Sequence, residues 1–94
     1  MAKISVIIAS YNEEKTIPLF YEEMERVRRQ DFTNEEFEYI FVNDGSKDNT
    51  LNIIKELSKK DSKVHYISFS RNFGKEAAMF AGLEMASGDY VTSV

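Results

Sequence analysis

The 94 residues contain no cysteine and a single histidine, His65. A disulfide framework and a thiolate zinc site are therefore excluded, and one imidazole leaves few transition-metal arrangements open. That composition fits a reducing compartment, and a cytoplasmic location is expected. Long hydrophobic runs are missing too. The apolar stretch Ile4 to Ala9 is far too short to cross a bilayer, and no charged leader precedes a longer one. No membrane contact is expected from this segment, although a parent protein could be membrane-associated. Net basic charge is absent: 12 Lys and Arg residues stand against 16 Asp and Glu, giving −4. No broad basic surface can then draw the chain to nucleic acid or anionic lipid. A small anionic ligand is compatible with that balance, because its phosphates need only a few local cations and backbone N–H groups.

Several familiar site motifs are also missing. There is no G-x-G-x-x-G after the first apolar run, no G-x-x-x-x-G-K-S/T and no G-x-S-x-G, which excludes the ordinary dinucleotide, P-loop and nucleophile-elbow readings. The loop Asp44-Gly45-Ser46-Lys47-Asp48 alternates oxygen-bearing side chains like a calcium loop. Its glycine position holds Asn49, however, and its bidentate position holds Lys55, so that reading fails.

What is present is globular composition, 43% hydrophobic and 30% charged, in a length that suits one small domain or part of a larger one. Ile4 to Ala9 is β-branched and reads as a strand buried on both faces. Ile17, Phe20, Tyr21, Met24 and Val27 then recur at helical spacing, with Pro18 early enough to sit in the first turn, and the helix should end near Arg29. The stretch Arg28 to Glu38 is polar and reads as a solvated connection. Tyr39 to Val42 forms a second strand, and Leu51, Ile53, Ile54 and Leu57 a second helix that Asp48 or Asn49 could cap. Val64 to Phe69 and Lys75 to Ala86 form a third such unit, and Asp89 to Val94 begins a fourth strand. Gly74, Ala78, Gly82 and Ala86 fall four apart, a small-residue ridge suited to close packing. Repeated strand-then-helix units specify an α/β fold, an open doubly wound, mainly parallel sheet with helices on both faces.

In such a sheet the strand-to-helix loops share the rim at the carboxyl ends of the strands. Ser10 to Glu14, Asn43 to Asn49 and Ser70 to Lys75 should meet there. Tyr11 could lie against a nucleobase or be a half-buried aromatic at a strand end. Asp44 could accept from a base or ribose, or close an Asx-turn over Gly45-Ser46. Arg71 and Lys75 could face a diphosphate or be solvated surface cations. Glu13 and Glu14 suit a helix start. His65 alternates with Val64 and Tyr66 in a strand, without a partner histidine, and is given no role.

Three stretches together carry a family likeness: Val6-Ile7-Ile8-Ala9-Ser10-Tyr11-Asn12-Glu13-Glu14, Val42-Asn43-Asp44-Gly45-Ser46-Lys47-Asp48-Asn49-Thr50, and Arg71-Asn72-Phe73-Gly74-Lys75. Their order, spacing and placement after successive strands make the joint match specific. The chain resembles the family 2 glycosyltransferases, and among them the polyprenyl-phosphate sugar synthases such as dolichyl-phosphate mannose synthase, over essentially its whole length. The resemblance implies a GT-A, Rossmann-like fold in which Ala9, Tyr11, Glu13 and Asp44 line the base and ribose pocket for a nucleoside-diphosphate sugar, with Lys75 near the same nucleotide. Some relatives carry two acids where this chain has Asn43-Asp44.

It further implies an inverting transfer, a single displacement at the anomeric carbon, to a polyprenyl phosphate or a glycan. Mg²⁺ or Mn²⁺ is expected for the complete enzyme, held by a D-x-D motif that would follow Ser87-Gly88-Asp89-Tyr90-Val91. Asp89 alone is not that motif. Residues 1–94 are thus expected to be the amino-terminal nucleotide-binding part of a transferase domain, truncated before the D-x-D motif and inactive alone. Self-association through an exposed fourth strand is a further expectation. The competing reading is a receiver-like α/β binding or regulatory module. A receiver calls for an acidic pair after the first strand and an Asp after the third, where Ser10-Tyr11 and Ser70-Arg71 stand.

Overall fold

The computed structural model describes all residues, Met1–Val94. Strands and helices alternate: β1 (Lys3–Ser10), α1 (Thr16–Asp31), β2 (Glu36–Asp44), α2 (Thr50–Lys60), β3 (Val64–Phe69), α3 (Lys75–Met85) and β4 (Tyr90–Ser93). The four strands form one sheet in the order β3-β2-β1-β4, and every pairing is parallel. β2 lies between β1 and β3 and is buried along its whole length after Glu36, so its Tyr39 to Val42 run needs no polar alternation.

The pleat divides the core in two. Val6, Ile8, Tyr39, Phe41 and Val64 face α1 and α2, where Ile17, Phe20, Met24, Ile54 and Leu57 pack on them. Ile7, Ile40 and Val42 face α3 through Ala78. The α3 ridge packs closely at Ala78, Gly82 and Ala86 but not at Gly74, which precedes the helix and faces open space: a Cβ on Gly82 would lie 2.5 Å from Ile7 Cγ2, so the absence of a side chain brings the helix down onto β1.

α1 and α2 carry the chain outward from β1 to β3, and α3 carries it back over β2 and β1 to β4. Right-handed crossovers put that return on the opposite face. The order therefore reverses between β1 and β4, and all strand-to-helix loops leave at the same end of the sheet.

The stretch read as a solvated connection is mostly ordered secondary structure. α1 runs to Asp31, β2 starts at Glu36, and Glu38 is only 4% exposed. An acid tolerates that position because polar groups from distant segments meet it. Ser5 Oγ donates to it at 2.6 Å, the Ser87 N–H at 2.7 Å, and Lys3 Nζ stands 3.5 Å away. Glu25 is likewise buried on α1, bound by Arg28 at 2.9 Å and by the Tyr39 hydroxyl at 2.6 Å. Burial pushes the Tyr39 hydroxyl pKa up, and its bond to the Glu25 carboxylate adds to the rise. At the start of α2, Asn49 makes no capping bond with its side chain; Asp48 Oδ1 instead accepts the Thr50 N–H at 2.9 Å.

Candidate functional site

Loop 1, after β1, is tied to loop 2, after β2, by reciprocal bonds. Asn12 adopts φ 53°, a left-handed conformation that asparagine tolerates better than most residues. Its N–H donates to Ser46 Oγ at 3.0 Å, and its Oδ1 accepts the Lys47 N–H at 2.8 Å. The Glu13 N–H donates to Thr50 Oγ1 at 2.8 Å, and the Glu14 N–H to Asp48 Oδ2 at 3.3 Å. Two main-chain donors of loop 1 are thus satisfied by side chains of loop 2 and the first residue of α2.

Loop 2 is tied to loop 3, after β3, by Asp44. Its Oδ1 accepts the Phe73 N–H at 2.8 Å, and its Oδ2 the Gly74 N–H at 3.1 Å and Asn72 Nδ2 at 3.3 Å. Asp44 is 4% exposed. Gly45 lies under the same loop. The local turn is closed by Asn43, whose Oδ1 accepts the Ser46 N–H three residues on at 3.2 Å, so Asp44 closes no Asx-turn over Gly45-Ser46.

The candidate residues occupy one rim but differ in what they do there. Tyr11 is 41% exposed at the tip of loop 1. Ala9 and Glu13 border a cleft of about 250 Å³ beside Ser10, Thr16 and Val94, at the β1–β4 reversal of strand order where ligands of open α/β sheets bind. Glu13 also starts α1: its carbonyl accepts the N–H groups of Thr16 and Ile17, and its carboxylate accepts the Thr16 hydroxyl. Arg71 is exposed with its guanidinium 4.9 Å from the Phe73 ring centre, and Phe73 stacks edge-on against Phe69. Lys75 is the exposed first residue of α3. Neither cation enters an ion pair with the protein.

The braces Asn12, Ser46, Asp48, Thr50 and Asn72 were not among the expected site residues. Their only local signal is a density of short polar side chains in loops, which marks turns in general. A larger groove, about 430 Å³, runs between α1 and α2 past Pro18, Tyr21, Ile53 and Leu57. It is a valley between two helix surfaces, and volume alone does not outweigh the exposed cations and aromatic ring at the rim. No three acidic or imidazole side chains converge to hold a metal ion. Asp89 instead accepts the Lys3 N–H at 2.9 Å at the far end of the sheet. Residues 1–94 therefore do not by themselves fit the cation that the family likeness implies. His65 lies on the edge strand β3, exposed, 3.8 Å from Glu38.

Comparison with known proteins bears on the family and the fold. The sequence model of Glycosyl transferase family 2 matches residues 5–94. The bactoprenol glucosyl transferase of Shigella phage SfV is 48% identical over 92 residues, covering 98% of this chain and 29% of that protein. The undecaprenyl-phosphate 4-deoxy-4-formamido-L-arabinose transferase of Pseudomonas fluorescens is 37% identical over 92 residues, covering 97% and 26%. The crystal structure of S. aureus TarS 1-349 in complex with UDP-GlcNAc superposes with a TM-score of 0.76 at 34% identity, over 98% of this chain and 26% of that one. The chain thus spans under a third of the length of these relatives.

Proposed function

Because the chain belongs to glycosyl transferase family 2, we propose that residues 1–94 are the amino-terminal nucleotide-binding part of an inverting transferase. It would move a sugar from a nucleoside-diphosphate sugar to a polyprenyl phosphate or a glycan. The observation that carries this reading is the rim: three loops bonded into one unit, presenting an exposed aromatic ring and two cations that form no ion pair with the protein. A nucleotide needs both kinds of group. The polyprenyl carrier is suggested by the names of the bactoprenol and undecaprenyl-phosphate relatives, and a uridine nucleotide by the TarS complex.

In this reading Tyr11 lies against the base, while Ala9 and Glu13 wall the base and ribose pocket. Asp44 takes one N–H or O–H donor: a carboxylate has about four acceptor positions and three are already filled by loop 3. Arg71 and Lys75 face the diphosphate and stabilise it as it leaves. The acceptor oxygen would attack the anomeric carbon from the side opposite that leaving group, which inverts the configuration. A bound Mg²⁺ or Mn²⁺ would supply charge neutralisation on the diphosphate, held by carboxylates from elsewhere in the parent. Without them the 94 residues should bind nucleotide weakly and transfer no sugar.

No helix is long and apolar enough to cross a membrane; placement of the parent at a cytoplasmic membrane face is part of the proposal. Family membership sets the receiver-like reading aside. Thermal melting of the chain with UDP, uridine and free glucose tests the assignment. UDP should raise Tm, and R71A/K75A should abolish the rise. No shift with any nucleoside diphosphate at millimolar concentration would overturn it.

A further inference from the structure

Resting on the nucleotide reading of the rim, we propose that Asp44 is a positioning residue for the phosphate-facing cations: its carboxylate holds loop 3 in the shape that presents Arg71 and Lys75. The connection can be followed atom by atom. Asp44 Oδ1 takes the Phe73 N–H at 2.8 Å, and the Phe73 ring in turn carries the Arg71 guanidinium 4.9 Å from its centre. Asp44 Oδ2 takes the Gly74 N–H at 3.1 Å, immediately before Lys75 opens α3. Asn72 Nδ2 bridges the Asp44 carboxylate and the Asp44 main-chain oxygen, at 3.3 and 3.2 Å.

These bonds act beside the Phe73–Phe69 stack and the close approach of Gly45, and they are the ones that reach the turn before α3. Gly74 has φ 102°, and its side-chain position faces open space, so residue 74 adds no packing of its own to the turn before α3. Arg71, Asn72 and Phe73 are all exposed. Two of the three donors that Asp44 satisfies are main-chain groups at the entrance to a helix, where a negative charge is also favoured by the helix dipole. With the Asn72 side-chain amide as the third donor, the carboxylate is largely occupied before any ligand arrives. Its effect on a diphosphate therefore runs through the loop it holds.

This role separates cleanly from direct contact with a base. Inorganic pyrophosphate has no base, and its charge is repelled by Asp44. If Asp44 acts only through the base, D44A should leave pyrophosphate binding unchanged or tighten it by removing a negative charge. If Asp44 positions the cations, D44A should weaken pyrophosphate binding about tenfold in spite of the charge removed, and D44N, which keeps one acceptor oxygen, should fall between.

The experiment uses the 94-residue chain and reads two signals. Calorimetry gives the pyrophosphate affinity of wild type, D44N and D44A. Amide hydrogen exchange gives the protection of Phe73 and Gly74 against that of Ile7 and Phe41 in the sheet. Exchange at Phe73 and Gly74 should accelerate about tenfold in D44A while the sheet amides keep their protection. If D44A does not fold, D44N decides, with the same direction and a smaller change. Unchanged protection of Phe73 and Gly74, or pyrophosphate affinity equal to wild type or tighter, would overturn the positioning role. Wild type that binds no pyrophosphate would instead overturn the phosphate assignment of Arg71 and Lys75, and the exchange data alone would then decide whether Asp44 holds the loop.

Discussion

Gly45 supports the main chain of Arg71: a Cβ at position 45 would stand 2.2 Å from the Arg71 carbonyl carbon and 2.4 Å from the Asn72 nitrogen. Neither atom can swing aside, because both belong to loop 3 backbone. Gly45 also has φ 69°, where a side chain is strained. G45A should therefore cost about 1–3 kcal/mol of stability and should loosen loop 3 before it loosens the sheet. Urea unfolding and amide exchange check this together. A variant as stable as wild type, with loop 3 protection intact, would show that the two loops are not in contact.

The second close approach is between Gly82 on α3 and Ile7 on β1, where an added Cβ would meet Ile7 Cγ2 at 2.5 Å. A branched side chain can yield more than backbone can. G82A alone should lower stability by about 1–3 kcal/mol through overpacking, and pairing it with I7A should recover part of that loss. A double-mutant cycle measures the coupling. Strictly additive changes would mean that α3 does not rest on Ile7.

Glu38 sets an acid limit on stability. Burial disfavours its charge, but donors from Ser5 and Ser87 and the nearby Lys3 outweigh that effect and hold the carboxyl below the ordinary glutamate range. A folded-state value below the unfolded one adds stability above the unfolded pKa, near about 4.3. That contribution disappears as pH falls through the lower folded value. E38Q should accordingly be less stable than wild type at pH 7 by about 1–3 kcal/mol, and the gap should close below about pH 4. Denaturant unfolding at several pH values tests this. A constant gap from pH 7 to pH 3 would contradict it.

β4 pairs with β1 on one side only, and its Tyr90 and Val91 are 65% and 44% exposed. An open apolar edge is a template for another strand. The 94-residue chain should self-associate with rising concentration, and V91K should suppress it. Light scattering reads the outcome, and a monomer at millimolar concentration would remove the edge from consideration.

Much of the architecture is written locally. Val6 to Ala9 and Tyr39 to Val42 are apolar without alternation because parallel strands are buried on both faces, and the 3.6-residue period of Ile17, Phe20, Tyr21 and Met24 marks one helical face. Parallel order then forces the three loops to one end. Buried acids are less legible. Nothing beside Glu38 in sequence announces that Ser5 and Ser87 will meet it, so a polar stretch looks solvated. The rim shows the same limit. Asn43 and Asp44 are adjacent and chemically similar, yet Asn43 closes the local turn while Asp44 reaches residues 72 to 74. Which does which depends on the pleat direction at the end of β2, a property of the folded sheet.

Amide chemical-shift mapping of the chain with UDP tests the nucleotide rim most directly. UDP should shift residues of Ser10 to Glu14, Asn43 to Asn49 and Ser70 to Lys75 in one saturable process, and K75A should weaken that binding without moving its location. Shifts confined to the groove between α1 and α2, or none at saturating UDP, would contradict a nucleotide site at the carboxyl rim.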